Sequence, residues 1–109
     1  MDKANIFEVI PRELRAELVE KITGAEGVRV ERIVSRGHAS PEGFWYDQDE
    51  TEWVVVIRGR ARLRFEAGNE ILDLGPGDHV TIPAHARHRV ESTAPGQDTI
   101  WIAVFFPAT

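Results

Sequence analysis

The sequence predicts an all-β sandwich or barrel behind one short N-terminal helix. Three observations carry this. Beyond residue 27 the chain is a series of short runs rich in β-branched and aromatic residues. Turn residues interrupt the series about every ten residues. One run, "ARLRFEA", alternates strictly, with Ala61, Leu63 and Phe65 on one face and Arg60, Arg62, Arg64 and Glu66 on the other.

The elements follow in order. "PRELRAELVEKI", residues 11–22, is expected to be the helix. Pro11 suits a first helical turn, and Leu14, Leu18 and Ile22 recur at fourfold spacing with Val19 beside them. "TGAEG" ends it, with Gly24 as cap. "VRVERIVS" is the first strand, and "RGHASPEG" is a loop. "EWVVVI" is apolar on both faces, as in a strand covered on both sides. "RGR" turns the chain into "ARLRFEA"; "AGN" turns it into "EILDL". "GPGD" is a strong turn signal, and "HVTIP", "HRVES" and "TIWIAVFF" complete the set. There is no repeat, low-complexity tract or linker, so residues 1–109 form one domain, with the barrel over about residues 28–106.

Composition excludes several function classes. The chain has 13 Lys and Arg against 18 Asp and Glu, a net charge of −5. Nucleic acid is therefore not expected as a partner, since phosphate binding needs clustered excess cations. No cysteine is present, which removes disulfides, thiolate metal sites and cysteine nucleophiles. "MDKANIFEVI" has no signal-peptide pattern, and no apolar run reaches membrane-spanning length. A cytoplasmic protein without membrane contact is expected.

The stretch "IPAHARHRV" carries two histidines three residues apart at a strand start. Alternation puts Arg87, Arg89 and Glu91 on one face and His88, Val90 and Ser92 on the other. The charged set faces water, so His88 is expected to point inward as a candidate ligand. His38 and His79 lie in loops and read as solvated. The arginine row from Arg58 to Arg64 reads as a charge ladder against Glu70 and Asp73 rather than an anion site. Ser40 and Ser92 form no nucleophile elbow.

With these residues in view, the chain resembles the cupin family. Gly77, "DHVTI", then "PAHARH" reproduces the second cupin block up to His88, with His85 standing where the family usually has glycine. Glu52, "WVVVIR", Gly59 fits the second half of the first block. The histidine pair that normally precedes the glutamate is missing, and "WYDQ" stands in its place. The resemblance covers residues 37–106. It implies a single-domain jelly-roll barrel with a divalent metal (iron, manganese, nickel or zinc) held inside by both blocks. Carried over by position, Glu52 and His88 match family ligands. Tyr46 and Gln48 occupy the histidine pair at one spacing, Trp45 and Asp47 at the other. Gln48, or Asp47, offers oxygen in place of an imidazole. His85 either turns inward to complete a set of Gln48, Glu52, His85 and His88, or sits on a turn facing solvent.

Phe44 and Tyr46 are candidate walls of a substrate pocket beside the metal. The last strand is apolar on both faces, so its outer face packs under the helix or forms a homodimer interface. The expected function is metal-dependent chemistry of dioxygenase, isomerase or decarboxylase type on a small organic substrate. The competing expectation is a non-enzymatic ligand-binding barrel with an eroded metal site.

Overall fold

The structure is a computed structural model and describes residues 1–108. Its eight strands, all antiparallel, are β1 (Leu18–Ala25), β2 (Val28–Ser35), β3 (Glu50–Arg58), β4 (Ala61–Phe65), β5 (Glu70–Leu74), β6 (His79–Ile82), β7 (His88–Thr93) and β8 (Thr99–Pro107). They form two sheets, one ordered β1-β2-β8-β3-β6 and one ordered β5-β4-β7. The strand series read from the sequence is present from Val28 onward. "AGN" is one 3-10 turn between β4 and β5.

The period-2 pattern builds the core. On β3 the inward set is Glu52, Val54 and Val56; on β4 it is Ala61 and Leu63; on β8 it is Trp101, Ala103 and Phe105. With Leu74 and Ile82 the apolar members make one cluster between the sheets. Each large apolar side chain buried there contributes about 1.5–3 kcal/mol. The outward positions of β4 carry the expected ladder, in which Arg62 Nε donates to Asp73 Oδ1 at 2.7 Å. Arg64 turns instead to Glu91 on β7, at 3.0 Å.

The N-terminal helix is absent. Residues 11–17 have no regular secondary structure, and residues 18–25 are strand β1. The fourfold leucine spacing is real, but the stripe covers no core: Val19 is 54% exposed and Ile22 is 49% exposed. Val19, Ile22 and Thr23 are β-branched and suit a pleated edge. Pairing with β2, from Leu18↔Val34 to Ala25↔Val28, overrides the helical preference of the leucines and glutamates. "TGAEG" is therefore a hairpin turn and not a helix stop. Glu26 and Gly27 make it, with Gly27 at φ 75.

The residues before β1 form an extended arm held against the outer face of the larger sheet. Arg32, on that face of β2, is 6% exposed. Its guanidinium donates to the carbonyls of Ile6 (2.9 Å), Glu8 (2.6 Å) and Val9 (3.0 Å), and to the Glu20 carboxylate. Four residues on, Arg36 donates to the carbonyl of Arg12 at 2.8 Å and to Asp98 at 2.7 Å. Between them Val34 is fully buried, as is its β8 partner Ile100. The outer face of β8 thus lies on the side that this arm crosses.

The Arg32 fork satisfies three backbone acceptors and one carboxylate at once, a geometry that lysine cannot copy. Arg32→Ala is expected to cost about 3 kcal/mol in urea unfolding. It is also expected to open the arm to limited proteolysis, while Arg32→Lys recovers only part of both. Equal protease protection in Arg32→Ala and the parent would show that other contacts hold the arm.

Candidate functional site

One cavity of about 210 Å³ opens between the sheets. Tyr46, Gln48, Glu52 and His88 line it, together with an apolar wall that includes Val54, Leu63, Ile82, Val90 and Trp101. Glu52 arrives there because it shares the inward face of β3 with Val54 and Val56. His88 arrives as the first residue of β7, on the same face as Val90. Alternation alone had assigned it that side.

The segment before β3 is stapled to the start of β7. Tyr46 N–H donates to the His88 carbonyl at 2.7 Å, and His88 N–H donates back to the Tyr46 carbonyl at 3.1 Å. This isolated bridge stacks the Tyr46 ring on the His88 imidazole, with centroids 5.4 Å apart. It also settles the register between Asp47 and Gln48. Gln48 faces inward, its Nε2 donating to Glu52 Oε1 at 3.2 Å. Asp47 faces outward.

His85 does not join the cavity. It sits on the turn at φ 63, a left-handed conformation that costs a non-glycine residue about 1 kcal/mol. Its backbone N–H donates to the Gln48 carbonyl at 2.7 Å. Its side chain is 63% exposed, with Nδ1 2.7 Å from Asp47 Oδ1 and Nε2 3.3 Å from Asp49. The structure therefore parts His85 from Gln48, Glu52 and His88. Phe44 is also outside the cavity; it is 42% exposed and packs edge-on against Tyr46. His79 is exposed and accepts from Trp53 Nε1 at 3.1 Å. His38 is half-buried: Nδ1 accepts from the Arg36 N–H, and Nε2 meets the Leu14 carbonyl at 3.1 Å.

The hydrogen bond to Asp47 raises the His85 pKa above its ordinary value, and Asp49 adds to it. A raised histidine stabilises the fold while it is protonated. That contribution is complete below about pH 6.5 and is lost as pH rises through the raised value. The stability gap between the parent and His85→Gln is therefore expected to narrow as pH rises above about 6.5. A gap that stays flat in urea titrations across this range would show that the Asp47 pair contributes nothing.

Inside the cavity burial dominates. It pushes the Glu52 carboxyl up, with Gln48 opposing and Glu31 and Glu50 adding. It pushes the His88 imidazole down, against the Ala86 carbonyl. The same carbonyl fixes the tautomer: His88 Nδ1 donates to Ala86 O at 2.7 Å, which leaves Nε2 as a lone pair. Nε2 lies 3.8 Å from Glu52 Oε1. Burial also raises the Tyr46 phenol, reinforced by Glu17 and Glu52. Among the described residues no three His, Cys, Asp or Glu side chains gather as a metal site. The inward trio is one imidazole, one carboxyl and one amide.

Alternation of the β2 and β8 strands places further polar groups on the cavity that sequence reading missed. Arg29, Glu31 and Ile33 line it from β2, and Glu17 from just before β1. The signal was present in "VRVERIVS", where Arg29, Glu31 and Ile33 alternate with Val28, Val30 and Arg32. Apolar residues stand on both faces of that run, Val28, Val30 and Val34 opposite Ile33, so alternation did not mark the inner one.

The comparisons agree with this fold. The family model described as "Cupin domain" matches residues 33–105. A protein of Ralstonia eutropha JMP134, provisionally named a mannose-6-phosphate isomerase, is 39% identical with a TM-score of 0.94, over 99% of this chain and 100% of that one. An RmlC-like cupin from Desulfovibrio desulfuricans is 15% identical with a TM-score of 0.76, over 100% and 99% of the two chains. An RmlC-like cupin from Methanocaldococcus jannaschii is 21% identical with a TM-score of 0.68, over 95% and 94%. Comparison with curated proteins gives no match. With both sequence blocks closing on one cavity and the family model spanning β2 to β8, the chain belongs to the cupin family.

Proposed function

We propose that this cupin holds one divalent ion on Gln48, Glu52 and His88 and binds a small organic molecule in the cavity beside it. The observation that supports this most is the His88 tautomer. Its Nδ1–H is tied to a backbone carbonyl, so the free Nε2 lone pair faces the cavity toward Glu52. Ligating histidines are commonly oriented in this way. Two bonds of about 2.1 Å from one ion set their donor atoms about 3.0–3.4 Å apart at tetrahedral or octahedral angles. The Gln48–Glu52 and Glu52–His88 separations, 3.2 and 3.8 Å, are close to this. Half a turn of the Gln48 amide exchanges its nitrogen for an oxygen donor. A mixed nitrogen and oxygen set accepts iron, manganese, nickel or zinc.

When bound, the ion supplies Lewis-acid polarisation or oxygen activation. The other roles fall to the chain. Tyr46 lines the site, and burial pushes its phenol up, which suits it to donate a hydrogen bond to a bound molecule. Val54, Leu63, Ile82 and Trp101 exclude water from the closed end. Isomerase, dioxygenase and decarboxylase chemistry all fit this arrangement, and the provisional name of the Ralstonia relative falls within the first.

One observation favours a second reading, a binding module without chemistry. Only one imidazole faces the cavity, and Tyr46 stands at a position where the resemblance implies another. Elemental analysis separates the two. About one ion per chain is expected after loading with iron, manganese, nickel or zinc, with His88→Ala losing it while the β-sheet circular dichroism is unchanged. A parent protein that takes up none of the four metals overturns the metal reading and leaves the binding module.

A further inference from the structure

The cavity carries charges that the proposed function does not use. Among the described residues that line it, Arg29 is the one with a fixed positive charge, and that charge is already engaged. Its Nη1 contacts both Glu50 oxygens, at 2.5 and 2.7 Å; its Nε contacts Glu31 at 3.2 Å. Its guanidinium lies over the Phe105 ring, 4.0 Å from the centroid. Only Nη2 remains, so the fork has no pair of free nitrogens with which to grip a phosphate bidentately.

The carboxylates are placed differently. Glu17, Glu31 and Glu52 all line the cavity. Glu17 is fixed from behind by a buried relay in which Trp101 Nε1 donates to Ser35 Oγ at 3.1 Å, and Ser35 Oγ donates to Glu17 Oε2. Ser35 is 0% exposed and Trp101 is 3% exposed, so this carboxylate is held by the core. Independently, His88 is only 4% exposed, yet its Nε2 has no hydrogen-bond partner among the described residues and faces the same space. Trp101, Tyr46 and Phe105 add aromatic surface. Counting Glu50 behind Arg29, one positive group meets four negative ones. Even a divalent ion on Gln48, Glu52 and His88 leaves that set net negative.

We infer that the cavity selects a small organic cation, an ammonium on an apolar body, and rejects phosphate esters and carboxylates. The inference rests on this cavity being the functional site. Carboxylates and aromatic faces together attract a desolvated ammonium, and the apolar wall takes its body. A phosphate ester would meet Glu17 and Glu31 with no free cation to offset them.

Three probes of one shape and three charges test this: cyclohexylamine, cyclohexanol and cyclohexanecarboxylate. Calorimetric titration into metal-free and zinc-loaded protein is expected to show the amine binding about tenfold or more tighter than the other two. Mannose 6-phosphate is expected to give no heat. Glu17→Gln and Glu31→Gln are each expected to shrink the preference for the amine, while Glu70→Gln, on exposed β5, leaves it unchanged. If the carboxylate or mannose 6-phosphate binds tighter than the amine, the charge inference is overturned and the cavity stands as the site. If none of the four binds in either form of the protein, the small-molecule reading of the cavity falls and this inference falls with it, whatever metal the protein takes up.

Discussion

Gly59→Ala is expected to cost about 3–5 kcal/mol and to leave little folded protein at moderate urea. Two independent penalties meet at this position. Gly59 has φ 87, in the left-handed region that side chains avoid. An added Cβ would also lie 2.7 Å from Thr99 Cα and 2.8 Å from the Asp98 carbonyl, which are backbone atoms that cannot swing aside. Thr99 is fully buried and cannot retreat, because its hydroxyl serves the next residue. It donates to the Arg60 carbonyl at 3.1 Å and receives the Arg60 N–H at 3.3 Å. The close approach is therefore what lets β3 turn into β4 across the end of β8. Gly43 provides the control. It has φ 78 and nothing within 4 Å of an added Cβ, so Gly43→Ala is expected to cost only the conformational part, about 1 kcal/mol. Urea midpoints for the two variants isolate the packing penalty as their difference. Equal losses would show that the Thr99 contact relaxes without cost.

Glu52→Gln is expected to separate stability from metal binding. The substitution keeps shape and an acceptor for the Gln48 amide while removing a buried charge. Burial holds the Glu52 carboxyl above its ordinary value, so ionisation works against the fold. For a raised carboxyl, the neutral form's contribution is complete below about pH 4.3 and is lost as pH rises through the raised value. In chelator, the variant is therefore expected to gain on the parent with rising pH, by about 1 kcal/mol near neutrality. Metal affinity is expected to fall about 100-fold or more, because an anionic donor has become a neutral amide. Melting curves at several pH values, with and without zinc, read both effects. A variant less stable than the parent at every pH would make Glu52 a structural acceptor instead.

Much of the barrel was legible because a half-buried strand writes its faces into alternate residues. His88 is assigned inward with Val90 by that alternation, whereas Glu52 stands in a run apolar on both faces and is marked only by the cupin resemblance. The segment before β3 carries no such alternation, and only the backbone bridge between Tyr46 and His88 decides that Gln48 turns in and Asp47 out. His85 was ambiguous for a related reason. Its direction follows from one positive φ, which residue type does not reveal when the residue is not glycine. The N-terminal helix misled because Leu14, Leu18 and Ile22 satisfy a helical period, whereas the edge of β2 was open to pairing and sequence does not show an open edge. Arg32 left no trace at all, since a side chain that binds backbone carbonyls imposes no pattern on the residues it binds.

The place of β8 has a consequence for how this barrel comes into being. β8 lies in the middle of the larger sheet, bonded to β2 on one side and β3 on the other. Chain order and spatial order thus differ, and a strand distant in sequence joins β2 to β3. Until it inserts, β1 with β2 and β3 with β6 are two separate ribbons, each with a bare hydrogen-bonding edge. The cavity wall of Trp101 and Phe105 belongs to β8, their shared neighbour, so neither ribbon encloses the pocket by itself. Closure of the barrel and completion of the pocket both depend on this one strand.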